Sequence, residues 1–355
     1  GSSVKILSNY LNINIDDVIC IGDNENDIEM VKYAGLGVAM GNGVDSLKEV
    51  ADYVTDTNIN SGVAKVINKF ILAKIHDEIH GFFCFINTIL LIKEVIVLFI
   101  PDKAVIEEKA LEYEKGREIL EKFKKFNINT TIVKSNRYPS TRNTTPAEKF
   151  MDSKRTLIVG VRKKIPFQSC KPSAHYQLPL ISGCSGMCEY CYLNTQLGKR
   201  PYTKINVNIE EILNQAMEYV EERKPDITIF EGAATSDPIP VEYYSGALAK
   251  AIEVFGENEL TRFRFVSKFS DVDSLLKLKH NGHTTIRFSI NTQKIIREFE
   301  HGTDNIDRRL EAAKKVKEAG YNLGFIIAPV FIYPNWKEEY LDLLDKIKKY
   351  ITTDD

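Results

Sequence analysis

Cysteine is scarce in this chain, six in 355 residues, and unevenly placed: Cys20, Cys84 and Cys170 are scattered, while Cys184, Cys188 and Cys191 crowd into one short stretch. A secreted disulfide framework needs paired, dispersed cysteines, so a cytoplasmic setting fits better. The 20 glycines and 12 prolines are too few for a collagen-like or low-complexity chain. Positive charge is not in excess either: 47 basic against 49 acidic residues leave a net charge of −2, so no global field gathers nucleic acid. The balance hides an asymmetry, because residues 1–73 carry 5 basic and 10 acidic side chains and the remainder is mildly basic. Uninterrupted apolar runs of membrane length are missing. The best candidate, GFFCFINTILLI at 81–92, meets Lys93 and Glu94 before VIVLFI resumes, and a span needs roughly 20 apolar residues without a charged pair at its middle. The N-terminus shows no basic and then apolar segment, so no signal peptide is expected. What is present, 43% hydrophobic and 27% charged residues, suits a folded chain with a real core and roughly two domains.

Residues 4–13 have helical apolar spacing. DDVICIGD then reads as a buried strand, Asn24–Tyr33 as a helix, GLGVAM as a strand, and VDSLKEVADYVT as a helix with a strand tip. Such alternation implies a parallel sheet whose functional edge lies at the strand C-termini. Asp23 and Asp27 reach that edge four residues apart. They suit either an oxygen-ligated Mg²⁺ or a helix cap. GDNENDIEM followed by GVAMGNG resembles the last motif of Cof-type haloacid-dehalogenase-like phosphatases, over about residues 1–73. In that family the nucleophilic aspartate sits on a DxDxT strand, which has no counterpart here. The resemblance therefore implies a Rossmann-like fragment in which Asp23 and Asp27 are a vestigial Mg²⁺ site without a nucleophile; a Mg²⁺-dependent sugar phosphatase is the competing reading. Residues 74–94 show no assignable period and read as an unassigned apolar linker.

A second unit begins at Val95 with the strand VIVLFI and an amphipathic helix expected from Val105 to Phe126, followed by strands NTTIVKS and RTLIVGVRKK. Further strands are YQLPLIS, DITIFEG, RFRFVSK, TTIRFSI and NLGFIIAPV. Helices are expected near Ile209–Arg223, Tyr243–Phe255, Asp271–His280, Asp307–Ala319 and Lys337–Tyr350. Five βα units in succession predict an α/β fold with a partial parallel (β/α) barrel and its chemistry on the loops after the strands. The expected divisions are 1–73, 74–94, 95–172 and 173–355.

The loop SGCSGMCEYCYL carries Cys184, Cys188 and Cys191 as C-x3-C-x2-C. Three thiolates on one loop can hold three irons of a [4Fe-4S] cluster and leave the fourth open. Structural zinc wants a fourth protein ligand, which no usual spacing supplies, and three cysteines cannot all pair.

That loop, with its aromatic residue before the third cysteine, resembles the radical SAM superfamily. The stretches KRTLIVGVRK, KPSAHYQLPL, GCSGMCEYCYLNTQLGKRPY, FEGAATSD, RFRFVSKF, TTIRFSIN and RRLEAAKKVKEAGYNLGFIIAPV are similar within it to the spore photoproduct lyase family, from about Val95 onward. The resemblance implies a lyase that reverses 5-thyminyl-5,6-dihydrothymine in spore DNA through a 5′-deoxyadenosyl radical made from S-adenosylmethionine. It also implies flavodoxin or ferredoxin as electron donor and the spore core as location. By resemblance, Lys268 and Ser289 meet the methionine carboxylate and the ribose, while Tyr190, Ser236, Asn291 and Ala328 line the cofactor. Each also has a plain reading, as packing, turn or solvated strand end. Lys163, Lys164, Lys171, Lys199, Arg200 and Lys204 are candidate phosphate contacts or simply surface. The family usually places a cysteine before the TSD turn, as hydrogen donor to the product radical; this chain has Ala234 there. Cys170 is then the remaining thiol of the lyase region, a donor or a small packing residue, with Tyr192 as relay. The family's last barrel strand and basic hairpin have no counterpart before Asp355, so a C-terminally truncated barrel, and with it an inactive product, is the third reading.

Overall fold

The computed structural model describes residues 4–5, 8–9, 13–57, 60, 62–66, 69–70, 99–134, 138, 145–196, 198 and 200–351. It divides into two compact units, one N-terminal and one formed by nearly all of the chain after Val95. The linker 74–94, the apolar stretch 81–92 and most of VIVLFI lie outside the described residues, as do Cys84 and Lys199. Among the described residues no helix is long and apolar enough to cross a membrane.

In the N-terminal unit, β1 (Ile19–Gly22), β2 (Leu36–Ala39) and β3 (Tyr53–Val54) form a parallel sheet in the order β1-β2-β3. The helix Ile28–Tyr33 connects the first two. Val31, Ala39 and Leu47 are its buried centre, with Ile28, Met30 and Val44 packed against them. These are the strands and the helix that the apolar periodicity predicts. Of the helix expected over 4–13, the described residues 4–5 and 8–9 are helical.

The larger unit contains β4 (Lys103–Glu107), β5 (Asn129–Val133), β6 (Thr156–Gly160), β7 (Ser169–Cys170), β8 (Ala174–Gln177), β9 (Ile181–Ser182), β10 (Met187–Cys188), β11 (Thr203–Asn206), β12 (Thr228–Glu231), β13 (Thr261–Ser267), β14 (Thr284–Ser289), β15 (Glu300–His301) and β16 (Asn322–Ile326). One sheet runs β5-β4-β6-β11-β9 and another β16-β14-β13-β12-β8-β7. In the latter, β8, β12, β13, β14 and β16 are parallel neighbours, the strands of the five predicted βα units, and β7 adds an antiparallel edge. Alternation along β13 and β14 buries Phe263, Phe265, Ile286 and Phe288 on one face, where Phe255 also packs. Arg264 and Arg287 fall on the other. Period-two patterning thus gives the sheet one apolar and one charged face.

Four element boundaries differ from the sequence expectation. Residues Val105–Glu107 belong to strand β4, and the helix begins only at Glu114, ending at Lys125; the β-branched start of that segment pairs with β5 and β6 instead. YQLPLIS is two strands in two different sheets, because Pro179 has no N–H for a ladder and the chain crosses over there. The expected helix Tyr243–Phe255 is two helices, Ile239–Ser245 and Ala247–Gly256, broken at Gly246 with φ +60°. Over Asp271–His280 only the short turn Asp273–Leu275 is helical: the Tyr321 hydroxyl donates to the Leu275 carbonyl at 2.5 Å and the Tyr321 ring stacks on His280, taking the place of a helical ladder.

Candidate functional site

Two devices fix where the three-cysteine loop starts. Gly183 adopts φ +80°, and a Cβ there would fall 2.0 Å from the Tyr202 carbonyl oxygen, so only glycine fits. Its N–H donates to the Thr235 carbonyl at 2.9 Å, and Gly183 bridges Ser236 in parallel. The TSD turn is thereby tied to the residue before Cys184. Asp237 of that turn is buried, accepts from the Ser267 hydroxyl at 2.8 Å and the Lys268 N–H at 2.9 Å, and burial lifts its carboxyl to about 6.

The loop is held from two further sides. The helix Pro146–Lys154 opens on a reciprocal cap between Thr145 and Glu148, with proline in its first turn, and ends in Lys154, a lysine only 2% exposed. The Lys154 ammonium donates to the carbonyls of Cys184 and Gly186 at 2.9 and 2.8 Å. Burial lowers its pKa, and the three cysteines pull it back up. Opposite, β10 pairs antiparallel with β15, setting Cys188 against Glu300.

Cys188 is buried and Cys184 and Cys191 are half-buried, and none is in a disulfide. Burial, before any neighbouring charge, drives the Cys184 thiol well above the usual range and the Cys188 thiol up to about 12. Among the described residues no three His, Cys, Asp or Glu side chains converge on one point as a single metal ion requires. An iron–sulfur cubane takes each thiolate on a different iron, so three free thiols spread over one braced loop fit that group.

Beside β10 lies a charge network. The Lys268 ammonium donates to Glu300 at 2.7 Å and to the Ser289 and Tyr190 hydroxyls at 2.9 Å each. The Tyr190 hydroxyl donates to Glu300 as well. Arg309, fully buried, pairs with the other Glu300 oxygen at 2.7 Å. Burial raises the Glu300 pKa, but the Arg309 and Lys268 charges outweigh it and hold the carboxyl below its ordinary range. The structure therefore brings Tyr190, Lys268 and Ser289 together. Asn291 is fully buried, and its side chain is engaged internally: it accepts from the Tyr340 hydroxyl at 2.7 Å and donates to the Pro329 carbonyl at 3.0 Å, next to Ala328. Ser236 donates to Gly232 at 3.2 Å.

Cys170 sits on the edge strand β7, opposite Ala174. Burial pushes its thiol up, and it feels the charges of Glu231, Arg264 and Arg287 from the polar face of the sheet. Glu231 is buried and bonded to Arg287. Tyr192 donates its hydroxyl to the Ala234 carbonyl, and Cys170 and Cys191 both act on it electrostatically.

Of the candidate phosphate contacts, Lys204 is bound to Glu107 at 2.7 Å and Lys164 to Glu218 at 2.9 Å, while Lys163 and Lys171 are exposed. In the N-terminal unit, Asp27 accepts from the backbone N–H groups of Asp23 and Asn24 at 2.9 and 3.1 Å, in a reciprocal cap with Asn24, and Asp23 is exposed.

The family model of spore photoproduct lyase matches residues 99–355. The chain belongs to the spore photoproduct lyase family. The family's lyase of Clostridium acetobutylicum is 55% identical over 244 residues, 69% of this chain and 73% of that protein. A solved spore photoproduct lyase mutant with bound AdoMet and dinucleoside spore photoproduct superposes with a TM-score of 0.70 at 43% identity, covering 72% of this chain and 75% of that one. Residues 1–67 match the family model of haloacid dehalogenase-like hydrolase. There the 5-amino-6-(5-phospho-D-ribitylamino)uracil phosphatase of Bacillus subtilis is 56% identical over 72 residues, 20% of this chain and 29% of that protein. Sequence reasoning placed the family and the thiol loop but missed Lys154, Glu300 and Arg309, the groups that brace it.

Proposed function

We propose that this chain reverses the spore photoproduct in DNA as a radical S-adenosylmethionine lyase, with Cys184, Cys188 and Cys191 as the ligands of a [4Fe-4S] cluster. The observation that carries the reading is the loop itself: three disulfide-free thiols, braced from three sides, in a chain of this family. When bound, the cluster and S-adenosylmethionine supply a carbon-centred radical that starts the reversal.

The rest is done by this chain's residues. Lys268, which donates to Glu300, Ser289 and Tyr190, would offer its cation to the methionine carboxylate, while Glu300 keeps its Arg309 partner. Ser289 and Ser236 offer hydroxyls to the cofactor. Ala328 leaves room beside it, and Asn291 acts by fixing the Ala328–Pro329 segment through its bond to Pro329. The polar sheet face with Glu231, Arg264 and Arg287 receives the lesion, whose target base must leave the duplex to reach it. Cys170 would then give its S–H hydrogen to the product radical, and the thiyl so formed would take the Tyr192 O–H hydrogen, passing the radical on to the tyrosine. Lys163 and Lys171 are available to phosphates. Flavodoxin or ferredoxin is the proposed electron source and the spore core the proposed location. Residues 1–73, 74–94, 95–172 and 173–355 are the proposed divisions. The first takes no part in the lyase chemistry: its Asp23 and Asp27 are a former Mg²⁺ site in which Asp27 now caps a helix.

Anaerobic reconstitution tests this reading. It should yield about four iron and four sulfide per chain, and Cys184→Ala, Cys188→Ala and Cys191→Ala should each abolish reductive cleavage of S-adenosylmethionine while Cys20→Ala does not. One bound zinc and no sulfide overturns it.

A further inference from the structure

Lys154 is an unusual place for a charge. Its side chain is buried, its donors go to two uncharged carbonyls of the cysteine loop, and among the described residues no carboxylate pairs with it. The C-terminus of its own helix offers at most about half a negative charge. A buried ammonium without a counter-charge is strongly disfavoured, so the fold that keeps it there must supply one from elsewhere. The groups of the loop it grips that become anionic on holding metal are the thiols of Cys184, Cys188 and Cys191.

We propose that Lys154 is a positioning residue for the cluster proposed above: it pins the Cys184–Gly186 backbone and balances the negative charge of the three thiolates and their cluster. The inference rests on that cluster assignment. Two consequences follow from charge alone. Reduction adds one negative charge close to a fixed positive one, so Lys154 favours the reduced state needed to cleave S-adenosylmethionine. The cluster in turn relieves the isolated ammonium, so loading it stabilises the wild-type chain more than a chain with a neutral residue at 154.

The experiment compares the full-length wild-type chain with Lys154→Met, similar in length but neutral, and Lys154→Arg, which keeps the charge. Redox titration of the reconstituted proteins, followed by electron paramagnetic resonance, should show Lys154→Met at least tenfold less reduced at a fixed potential, about 59 mV for one electron. Lys154→Arg should recover most of that. The rise in Tm on cluster loading should shrink in Lys154→Met and return in Lys154→Arg. A residue that merely packs would lower Tm of loaded and unloaded chains alike and leave the potential unmoved. If the methionine variant does not fold, Lys154→Gln, which keeps a donor and loses the charge, is judged by the same two readouts. A wild-type chain that builds no cluster defeats the underlying assignment. A wild-type chain that builds it, beside neutral variants with unchanged potential and unchanged Tm gain, defeats the role of Lys154 alone.

Discussion

The Tyr192 hydroxyl donates to the main-chain carbonyl of Ala234, joining the residue after the third cysteine of the loop to the residue before the TSD turn, where the resemblance leads one to expect a hydrogen-donating cysteine. Alanine has no weak S–H bond from which to give a hydrogen, and the Tyr192 phenol is pushed up by burial first and then by the charges of Cys191, Cys170 and Glu231. The proposed donor is instead Cys170 on the edge strand β7, separated by β8 from the strand that precedes Ala234. Cys170→Ala should leave S-adenosylmethionine cleavage intact while the yield of clean thymine falls severalfold and radical adducts accumulate. Product analysis by mass spectrometry checks this, and an unchanged thymine yield would clear Cys170 of the role.

Lys268→Met should weaken S-adenosylmethionine binding at least tenfold, roughly 1.4 kcal/mol or more, because it removes the cation shared by Glu300, Ser289 and Tyr190. Iron content should be retained, since Arg309 still holds Glu300 opposite Cys188. Equilibrium dialysis on the reconstituted protein measures both, and wild-type affinity in the variant would remove Lys268 from the cofactor site.

Glu242 gives a pH signature. Burial lifts its carboxyl to about 7, against the pull of N–H donors from Ala249 and Leu248 and the Ser245 hydroxyl. With a folded pKa above the unfolded one, its contribution is complete below about pH 4.5 and is lost as pH rises through about 7. The effect is at most about 3 kcal/mol. Glu242→Gln should flatten the fall in Tm over that window, and a profile as steep as wild type would show that the group does not titrate as described.

Removing residues 1–93 should leave cluster assembly and cofactor cleavage unaltered, and the full chain should hydrolyse phosphate esters no faster than background. Turnover that depends on added Mg²⁺ and disappears in Asp23→Asn would restore a function to the N-terminal unit.

Much of this was legible in the sequence, for identifiable reasons. The thiol loop is local, so spacing alone exposed it. The parallel strands β12, β13, β14 and β16 were readable because each of these apolar runs pairs with the next of them along the chain. The break at Gly246 and the crossover at Pro179 hinge on single residues inside otherwise continuous patterns, and propensity averaged over a window hides them. Lys154, Glu300 and Arg309 act through tertiary contacts with residues far away in sequence. Arg309 did leave a trace: it lies on the same helical stripe as Ile306, Leu310, Ala313 and Val316, all buried, and a charge on an apolar stripe requires a buried partner. Lys154 left none, because a lysine at a helix C-terminus is ordinary.

The central claim is that this chain converts the lesion through its three-cysteine loop. The most direct test is anaerobic incubation of the reconstituted full-length protein with dinucleoside spore photoproduct, S-adenosylmethionine and a reductant, with thymine products followed by chromatography and mass spectrometry. The account predicts conversion by the wild-type chain and none by Cys188→Ala. A wild-type chain that carries its cluster and cleaves S-adenosylmethionine but leaves the lesion untouched, or a Cys188→Ala variant that still repairs it, would contradict the account.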